Sequence, residues 1–348
     1  MRLLLAGFGN VARTLARILA DRRAYPGLAG LDVSVVGITT ASRGALVNPA
    51  GIELARALDE IRSRGRFTEE HPDHADVDTL TAIGTLAFDV LVELTPLSVR
   101  TRGEPAISHV RLALERGRDV VSANKGPLAW AYGELTALAR EKGSALLHEA
   151  TVMDGAPVFG LARRCLRGNT ILRIEGVLNS TTNVVLCEME KGRSLEEAVA
   201  AARSLGVAEA DPANDLDGWD AAVKIAVLAN ALMGAELTPE LVGRESVTSV
   251  GRARIALAAS RGRRIKMVSE ISREGAGVHG SVTVREVELS DPFARVEGTA
   301  SVVRLSTDIL GALVIAQEAP DLAATAYGVI ADLFELQEAG RPPAAPYH

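Results

Sequence analysis

Apolar residues in the first 150 positions occur in short runs, and the stretches between these runs have helical spacing. The runs have the length of buried strands and cover residues 2–6, 32–38, 89–94, 119–122 and 144–147. Apolar residues at helical spacing mark stretches such as 13–23, 53–65 and 109–116. Strands that alternate with helices in this way predict an α/β domain with a Rossmann-type, doubly wound parallel sheet.

The pattern changes after about residue 150. An apolar run at 172–178 precedes helical stretches at 184–192 and 194–206, and residues 263–316 are rich in strand patterns. A last helix is predicted over roughly 321–335, and the Pro-rich residues 340–348 are expected to form a disordered tail. A length of 348 residues suits two domains, so we predict a second, α+β domain after the first.

Composition narrows the class of protein. Hydrophobic residues make up 47% and charged residues 24%, as in ordinary globular proteins, and the net charge of −6 gives no basic field for nucleic acid or anionic lipid. Two cysteines, Cys165 and Cys187, argue against a disulfide framework and against a cysteine-built zinc site. The apolar N-terminal run is too short for a signal peptide, and no run approaches the roughly 18–20 residues of a membrane span. We therefore expect a cytoplasmic protein.

A glycine-rich turn follows the first apolar run and opens the first helical stretch. Its residues are Gly7, Phe8, Gly9, Asn10 and Val11. The first glycine allows a tight turn, the second lets the backbone approach a pyrophosphate, and the helix N-terminus supplies N–H groups. Ala12 occupies the third glycine position, which the fingerprint tolerates. We predict a dinucleotide site here, and the alternative is a glycine turn without a ligand.

The second apolar run ends without an acidic residue. An acid at this place binds the ribose 2′-hydroxyl of NAD, whereas an arginine accommodates the 2′-phosphate of NADP. The sequence offers Ser42 and Arg43 instead of an acid, so NADP is predicted in preference to NAD. The alternative is a solvated Arg43 that contacts no ligand.

Two later strand ends carry further candidates. Thr95 and Pro96 follow the third apolar run, and Lys125 follows the fourth. Ligands of doubly wound sheets bind at the carboxyl ends of the strands, so these residues are expected at the cofactor and Lys125 also in the catalytic cleft. The alternative for Lys125 is a lysine in a surface loop. A charged segment containing His71, Asp73 and His74 is expected to be a solvated loop.

Five acids stand directly before an apolar helical run, residues 221–234, whose only charge is Lys224. The acids are Glu209, Asp211, Asp215, Asp217 and Asp220. We expect Asp217 to be the N-cap of this helix, with Asp220 in the capping-box position. Lys224 shares a helix face with Asp220, and a lysine on a buried helix needs a partner or a role in catalysis. The alternative is a surface ion pair.

The chemistry of this stretch predicts a substrate class. A lysine at a pocket can exchange a proton with a carbonyl or alcohol oxygen, and nearby acids can hold a cationic amine. Both are needed by an enzyme that acts on a small amino acid carrying an alcohol or an aldehyde.

The motifs together resemble homoserine dehydrogenase in its short form, over nearly the whole chain. They are GFGNVA at 7–12, VELTP at 92–96, ANKGPLA at 123–129, GVLNSTTN at 176–183 and EADPANDLDGWDAAVK at 209–224. The resemblance implies interconversion of L-homoserine and L-aspartate 4-semialdehyde with NADP, or NAD as an alternative, in the biosynthesis of threonine, methionine and isoleucine. It also implies a dinucleotide-binding domain at 1–150, a substrate-binding and dimerisation domain at 151–316, a helix at 317–339 that returns to the first domain, and a homodimer.

The same resemblance implies roles for individual residues. Lys224 would carry the proton, supported by Asp220, while Glu209, Asp215 and Thr181 would bind the substrate. Ser180 would lie near the nicotinamide. A monovalent cation such as Na⁺ would be bound, mostly by backbone oxygens, on a loop that contains Glu149, Val152, Asp154 and Ala156.

The chain departs from the family pattern in three places. Ser180 replaces a usual glycine, residues 317–322 replace a glycine-rich segment expected to close over the cofactor, and we expect no regulatory module. These departures leave two alternatives: a related dehydrogenase of another amino-acid aldehyde or alcohol, and a nucleotide-binding paralogue without turnover.

Overall fold

The structure, a computed structural model, describes residues 1–208, 211–275 and 277–339. Its strands are β1 (Arg2–Ala6), β2 (Ser34–Thr39), β3 (Ala45–Val47), β4 (His74–Ala75), β5 (Val90–Glu93), β6 (Asp119–Ser122), β7 (Leu146–Leu147), β8 (Ile171–Val177), β9 (Gly243–Arg244), β10 (Arg263–Glu274), β11 (Gly277–Glu288), β12 (Ser301–Thr307) and β13 (Ala312–Gln317). Its helices are α1 (Asn10–Ala20), α2 (Leu54–Arg64), α3 (Thr79–Thr85), α4 (Ala106–Glu115), α5 (Gly126–Trp130), α6 (Tyr132–Lys142), α7 (Val158–Cys165), α8 (Ser180–Glu190), α9 (Leu195–Ser204), α10 (Ala213–Leu216), α11 (Trp219–Met233), α12 (Arg252–Ser260) and α13 (Leu322–Ala339). The predicted tail at 340–348 lies outside the described residues.

The chain divides into two compact units. The first contains residues 1–127 and 133–157 together with the described residues from Asp321 onward. The second contains residues 128–132 and 158–320. The first unit is therefore built from separate parts of the sequence.

The first unit contains a sheet with the strand order β4-β3-β2-β1-β5-β6-β7. Strands β2, β1, β5, β6 and β7 are parallel to one another. At one edge, β3 pairs antiparallel with β2, and β4 pairs antiparallel with β3. After β1 the chain continues to β2 on one side of β1, and it later returns to form β5 on the other side of β1. The carboxyl ends of β1 and β5 thus form the topological switch point at which such sheets bind their ligands. The predicted α/β class with a doubly wound sheet is confirmed.

Helix α13 completes the hydrophobic core of the first unit. Val329, Ile330 and Leu333 are buried in the same cluster as Leu15 and Leu19 of α1. Since these apolar faces cover each other, neither helix would be stable alone in water. The last helix is as much a part of the first unit as the first helix is.

Close packing brings α13 against the loop at 149–156. A Cβ atom on Gly328 would lie 2.8 Å from the carbonyl oxygen of Asp154 and 2.9 Å from the Cα of Ala150. The buried Asp332 carboxylate accepts a hydrogen bond of 2.7 Å from the backbone N–H of Glu149. Glycine at 328 is therefore required by the approach of two backbones.

The second unit contains a mixed sheet with the strand order β13-β12-β8-β10-β11-β9. Its pairs are antiparallel except for β9 and β11. Helix α11 packs against β10 and β11. This arrangement confirms a second sheet-containing domain and places the N-terminal end of α11 in the second unit.

Two local expectations were wrong. Gly218, with φ of 76°, is the N-cap of α11, and Asp217 instead ends α10. The left-handed glycine turns the chain between the two helices, so no side chain caps α11. The second expectation was a solvated loop around His71, yet His71 is only 3% exposed. Its segment packs inward with the fully buried Phe67, and the backbone N–H of Asp73 donates to His71 Nδ1.

No helix in the described part of the chain combines the length and the apolar character needed to cross a bilayer.

Candidate active site

The site in the second unit is centred on Lys224 in α11. The helix is buried along most of its length, yet its Lys224 side chain keeps 15% of its surface exposed. The Lys224 ammonium lies 3.3 Å from Asp220 Oδ2 and donates a 2.6 Å hydrogen bond to the carbonyl oxygen of Leu178. The predicted pairing of Lys224 with Asp220 one turn away is therefore present, with little exposure to solvent.

Asp215 joins this pair through an asparagine that the sequence analysis did not select. Asn179 Nδ2 donates to Asp215 Oδ1 at 2.8 Å and to Asp220 Oδ2 at 3.0 Å. Thr181 Oγ1 lies 2.7 Å from Asp215 Oδ2 and 2.8 Å from the carbonyl oxygen of Val207, with one proton to give. The structure thus connects Lys224 to Asp215 through Asp220 and Asn179.

The environment of Asp215 perturbs its titration. Burial raises the pKa of Asp215, and the neighbouring charge of Asp220 raises it further. Hydrogen bonds from Thr181 and Asn179 and the charge of Lys224 act in the opposite direction on this pKa. A carboxylate held in this balance is suited to bind a cation, which supplies the compensating charge.

Glu209, the remaining predicted substrate-binding acid, lies outside the described residues. Ser180 is the first residue of α8, and its hydroxyl donates to the carbonyl oxygen of Thr299 at 3.3 Å. The left-handed region of φ is not used there, so serine fits in place of glycine without backbone strain.

Asn179 could have been found from its place in the sequence. It begins the polar cluster at 179–183 after a buried strand, and asparagine is a strong N-cap residue. The structure shows that capping role, because Asn179 Oδ1 accepts from the backbone N–H of Thr182. Its second role depends on contacts with residues 36 and 41 positions away.

The glycine turn lies at the switch point of the first sheet. Gly7 has φ of 100°, and a Cβ there would lie 2.8 Å from the backbone of Leu94, so only glycine fits. A Cβ on Gly9 would meet nothing within 4 Å. No side chain caps the N-terminus of α1, and no acid lies in its first turn. These features fit a dinucleotide pyrophosphate, which would be held by backbone N–H groups of this turn.

The other predicted residues of this turn differ in what they present. Phe8 is 3% exposed and its ring packs against that of Phe67 at a centroid distance of 5.5 Å, so its side chain anchors the turn in the core. Asn10 is exposed and accepts a hydrogen bond from Arg13, and Val11 is half-buried.

A compact turn follows β2 and presents Ser42 and Arg43 to solvent. The Thr40 hydroxyl donates to the carbonyl oxygen of Gly44 and accepts from the backbone N–H of Arg43. The carbonyl oxygen of Arg43 accepts a 2.7 Å hydrogen bond from the N–H of Phe67. The backbone of Arg43 is fixed while its side chain is exposed, as binding of a phosphate requires.

A buried polar network fixes the ends of β5 and β6. Glu93 is fully buried and its carboxylate contacts Nδ1 of the buried His109 at 2.9 Å. It also accepts hydrogen bonds from the backbone N–H and the hydroxyl of Thr95. Asn124 Nδ2 donates to the carbonyl oxygen of Thr95 at 2.9 Å, and the N–H of Gly126 donates to Asn124 Oδ1 at 2.8 Å. Thr95 is thereby held in place.

Lys125 and Pro96 lie at the ends of the same two strands. Lys125 is half-buried and lies between Asn124 and Gly126, whose backbone N–H donates to the Asn124 side chain. Pro96 is exposed. Sequence analysis selected these exposed or half-buried residues and missed Glu93, His109 and Asn124 beneath them.

The loop proposed for a cation is tightly packed. Glu149, Val152 and Ala156 are buried, and Asp154 has φ of 51°. Asp154 Oδ1 accepts a 2.8 Å hydrogen bond from the Thr325 hydroxyl. Among the described residues no group of three or more His, Cys, Asp or Glu side chains could hold a metal ion. A cation at this loop would therefore depend on backbone oxygens, which hard cations accept as ligands.

Comparison with protein families decides the assignment. The family model described as homoserine dehydrogenase matches residues 157–334, and that of the homoserine dehydrogenase NAD-binding domain matches residues 7–149. The chain belongs to the homoserine dehydrogenase family. It is accordingly an oxidoreductase that depends on NAD(P) and acts on a small-molecule substrate.

Relatives over the full length support this homoserine dehydrogenase assignment. A protein of Pseudomonas canavaninivorans named NAD(+)-dependent homoserine dehydrogenase is 34% identical over 97% of this chain and 96% of its own. A homoserine dehydrogenase of Methanocaldococcus jannaschii is also 34% identical, over 97% of this chain and 98% of its own.

Solved homoserine dehydrogenases have the same fold. The enzyme from Thermoplasma acidophilum is similar with a TM-score of 0.83 and 26% identity, over 97% of this chain and 99% of that one. A hyperthermophilic archaeal homoserine dehydrogenase in complex with NADPH has a TM-score of 0.82 and 28% identity, over 98% of both chains. Relatives are thus associated with both NAD and NADPH, and the preference of this homoserine dehydrogenase must follow from its own residues.

Proposed function

We propose that the chain interconverts L-aspartate 4-semialdehyde and L-homoserine with NADPH as the preferred reductant, in threonine, methionine and isoleucine biosynthesis. The observation that carries this proposal is the network that joins Lys224, Asp220 and Asp215 through one asparagine. It offers an ammonium group for the reacting oxygen and a half-buried carboxylate for the substrate amine. The glycine turn of the first unit offers the site for the cofactor.

The reaction needs one hydride and one proton. NADPH, when bound, would supply the hydride for the aldehyde carbon. Lys224 would give its proton to the aldehyde oxygen, which becomes the hydroxyl of homoserine. Asp220, whose Oδ2 lies 3.3 Å from the ammonium, orients Lys224 before the transfer. In the oxidation direction, the neutral lysine takes the proton from the hydroxyl.

The substrate amine would be bound by Asp215, with Thr181 holding one of its carboxylate oxygens. Glu209 completes the proposed substrate site. In the first unit we propose that the turn from Gly7 to Val11, the turn with Ser42 and Arg43, and Thr95 with Pro96 bind the cofactor. Ser180 and Lys125 are proposed for the nicotinamide end, and Lys125 is also proposed as a catalytic residue.

The proposed roles are divided among three parts of the chain, residues 1–150, 151–316 and 317–339. We propose that the first binds the cofactor, the second binds the substrate and a second copy, and the last belongs to the first domain. A monovalent cation on the loop with Glu149, Val152, Asp154 and Ala156 is part of the same proposal, as is a cytoplasmic location beside the pools of NADPH and amino-acid precursors.

A homodimer is supported by exposed apolar side chains of the second unit. Leu172, Ile309 and Leu310 are 43%, 77% and 57% exposed. The backbone N–H of Asp308 donates to the carbonyl oxygen of Thr170, which brings the hairpin between β12 and β13 beside the start of β8. Exposed apolar side chains gathered in this way are typical of protein contacts. Light scattering coupled to size exclusion should give twice the chain mass of 36.6 kDa.

The function is tested by following NADPH absorbance. Purified protein should oxidise NADPH with aspartate 4-semialdehyde and reduce NADP⁺ with homoserine. Serine, threonine and simple aldehydes without an amino group serve as comparison substrates, because they keep the alcohol or aldehyde but change the distance to the amine or remove it. Turnover of a comparison substrate above that of homoserine would exclude the proposed substrate.

The preference for NADPH should depend on Arg43. A charge-assisted contact contributes roughly 1.5–3 kcal/mol, and because Arg43 is exposed we expect the lower end, about a ten-fold tighter Kd for NADPH than for NADH. Arg43→Ala should weaken NADPH binding by about this factor and leave NADH unchanged. Fluorescence titration of both reduced cofactors measures the change, with the exposed Arg23→Ala as the control. Equal affinity of the wild type for both cofactors would refute the assignment.

A further inference from the structure

We infer that Asn179 positions the two carboxylates of the active site and that this role is separate from its role as a helix cap. The inference rests on the proposed function, since it concerns the residues that bind the amine and support the proton carrier. It assigns to Asn179 no contact with substrate or cofactor; Asn179 acts through Asp215 and Asp220.

Every hydrogen-bonding group of the Asn179 side chain is used. A primary amide has two N–H donors and an oxygen with two lone pairs. The two donors go to Asp215 Oδ1 at 2.8 Å and Asp220 Oδ2 at 3.0 Å. The oxygen accepts from the backbone N–H of Thr182 at 2.9 Å. The Thr182 hydroxyl, with one proton to give, lies 3.0 Å from this oxygen and 3.1 Å from the backbone carbonyl oxygen of Asn179. A flipped amide would point its oxygen at two carboxylates, so the orientation of Asn179 is fixed.

The location of Asn179 makes this orientation matter for both acids. It is 6% exposed and sits at the start of α8, directly after Leu178, whose carbonyl oxygen accepts from Lys224. Asp220 Oδ2 is shared between Asn179 and Lys224. Two consecutive residues, Leu178 and Asn179, therefore contact the proton carrier, its supporting acid and the acid proposed to bind the amine.

The amide also lessens the repulsion between the two acids. Two carboxylates near each other favour protonation of one of them, and the charge of Asp220 raises the pKa of Asp215. A donor that bonds both carboxylates stabilises the form in which both are charged. Among the described residues, Asp215 is also faced by the Thr181 hydroxyl on α8 and the Lys224 ammonium on α11. Asn179 thus favours the ionised Asp215 that can bind an ammonium group.

The choice of asparagine over other capping residues follows from these contacts. Serine and aspartate cap helices about as well as asparagine does. Serine, however, has a single donor on a shorter side chain, and an ionised aspartate has no donor and would add a third negative charge. Among these three good caps, only asparagine offers two donors to the acids while its oxygen caps α8.

Two substitutions separate the two roles. Asn179→Ser and Asn179→Asp keep a capping oxygen, so both should remain folded. Asn179→Ser should have a Tm near that of the wild type, whereas the third negative charge in Asn179→Asp should lower its Tm. We expect kcat/KM for homoserine to fall about 100-fold in Asn179→Ser and further in Asn179→Asp, largely through KM, since losing charge-assisted hydrogen bonds costs roughly this much. The Kd for NADPH should stay unchanged. Ser194→Asn, which exchanges the cap of α9, is the matched control and should keep wild-type kinetics.

Asn179→Ser with wild-type KM and kcat would overturn the inference and leave Asn179 as a cap alone. A loss of activity that disappears when the variant is assayed well below its Tm would do the same. Wild-type protein without turnover of homoserine would instead count against the proposed function. In that case, carboxyl NMR tests Asn179 directly: the pKa of Asp215 should be higher in Asn179→Ser than in the wild type, and an unchanged pKa refutes the inference.

Discussion

Replacing Lys224 with alanine should lower kcat by about 10²–10⁴-fold and leave the protein folded, because general acid–base catalysis contributes this much to proton transfer. The Lys224 ammonium is held by Asp220 at 3.3 Å and by the carbonyl oxygen of Leu178 at 2.6 Å. We propose that this ammonium gives a proton to the substrate oxygen. Single-turnover kinetics with aspartate semialdehyde would measure the loss in the chemical step.

Two further variants define the cause of that loss. Lys224→Arg keeps the positive charge, but a guanidinium stays protonated over the whole working pH range and holds its proton too tightly to exchange it. We therefore expect Lys224→Arg to be nearly as inactive as Lys224→Ala. The exposed Lys191, which pairs with Glu188 at 2.7 Å, gives a matched control, and Lys191→Ala should have wild-type kinetics. If Lys224→Arg kept more than about a tenth of kcat, charge and not proton transfer would be the function of this residue.

Asp215→Asn should raise KM for homoserine by about 100-fold while the Kd for NADPH changes little. A charge-assisted hydrogen bond to an ammonium contributes roughly 1.5–3 kcal/mol, which the neutral amide cannot replace. The variant should fold, because its oxygen can accept from Asn179. Its Nδ2 can donate to the Thr181 hydroxyl, which then donates to the carbonyl oxygen of Val207. Steady-state kinetics and cofactor titration measure the two quantities separately.

The pH dependence has a definite sign. The pKa of Asp215 is raised above its usual value, first by burial, so ionised Asp215 destabilises the folded protein as pH rises through that pKa. Asp215→Asn should therefore have a Tm at pH 8 equal to or above that of the wild type. Substrate binding changes in the opposite sense, since kcat/KM of the wild type should fall as pH falls and Asp215 takes up a proton. The exposed neighbour Asp217→Asn is the control. A Tm at pH 8 clearly below that of the wild type would assign Asp215 a structural role.

The features found from sequence are those that depend on local spacing. The pairing of Lys224 with Asp220 follows from four residues of helix, and the glycine turn follows from a strand, a turn and a helix in direct succession. The cap of α11 was predicted incorrectly for a local reason as well. Asp217 and Gly218 both suit the end of a helix. Asp217 ends the short helix α10, and the pattern of acids does not reveal that this helix exists.

The features that sequence analysis missed depend on residues far apart in the chain. Asn179 contacts acids 36 and 41 positions later, and Glu93 reaches His109 on the following helix. His71 was predicted to lie in a solvated loop. Its burial depends on Phe67 and on how the loop folds over the sheet, which the local sequence does not reveal. Periodicity indicates which face of an element is buried, but it cannot show which polar groups meet once those faces pack.

The position of α13 in the sequence determines when the first unit can finish folding during translation. Domains at the N-terminus usually fold while the rest of the chain is still being made. Here the core of the first unit lacks Val329, Ile330 and Leu333 until the second unit, which ends at residue 320, has been translated. The nascent chain therefore carries an unfinished nucleotide-binding unit, with the apolar face of α1 uncovered, throughout synthesis of the second unit. The first unit, which the family model of the NAD-binding domain matches in part, completes its core only when α13 follows the second unit out of the ribosome.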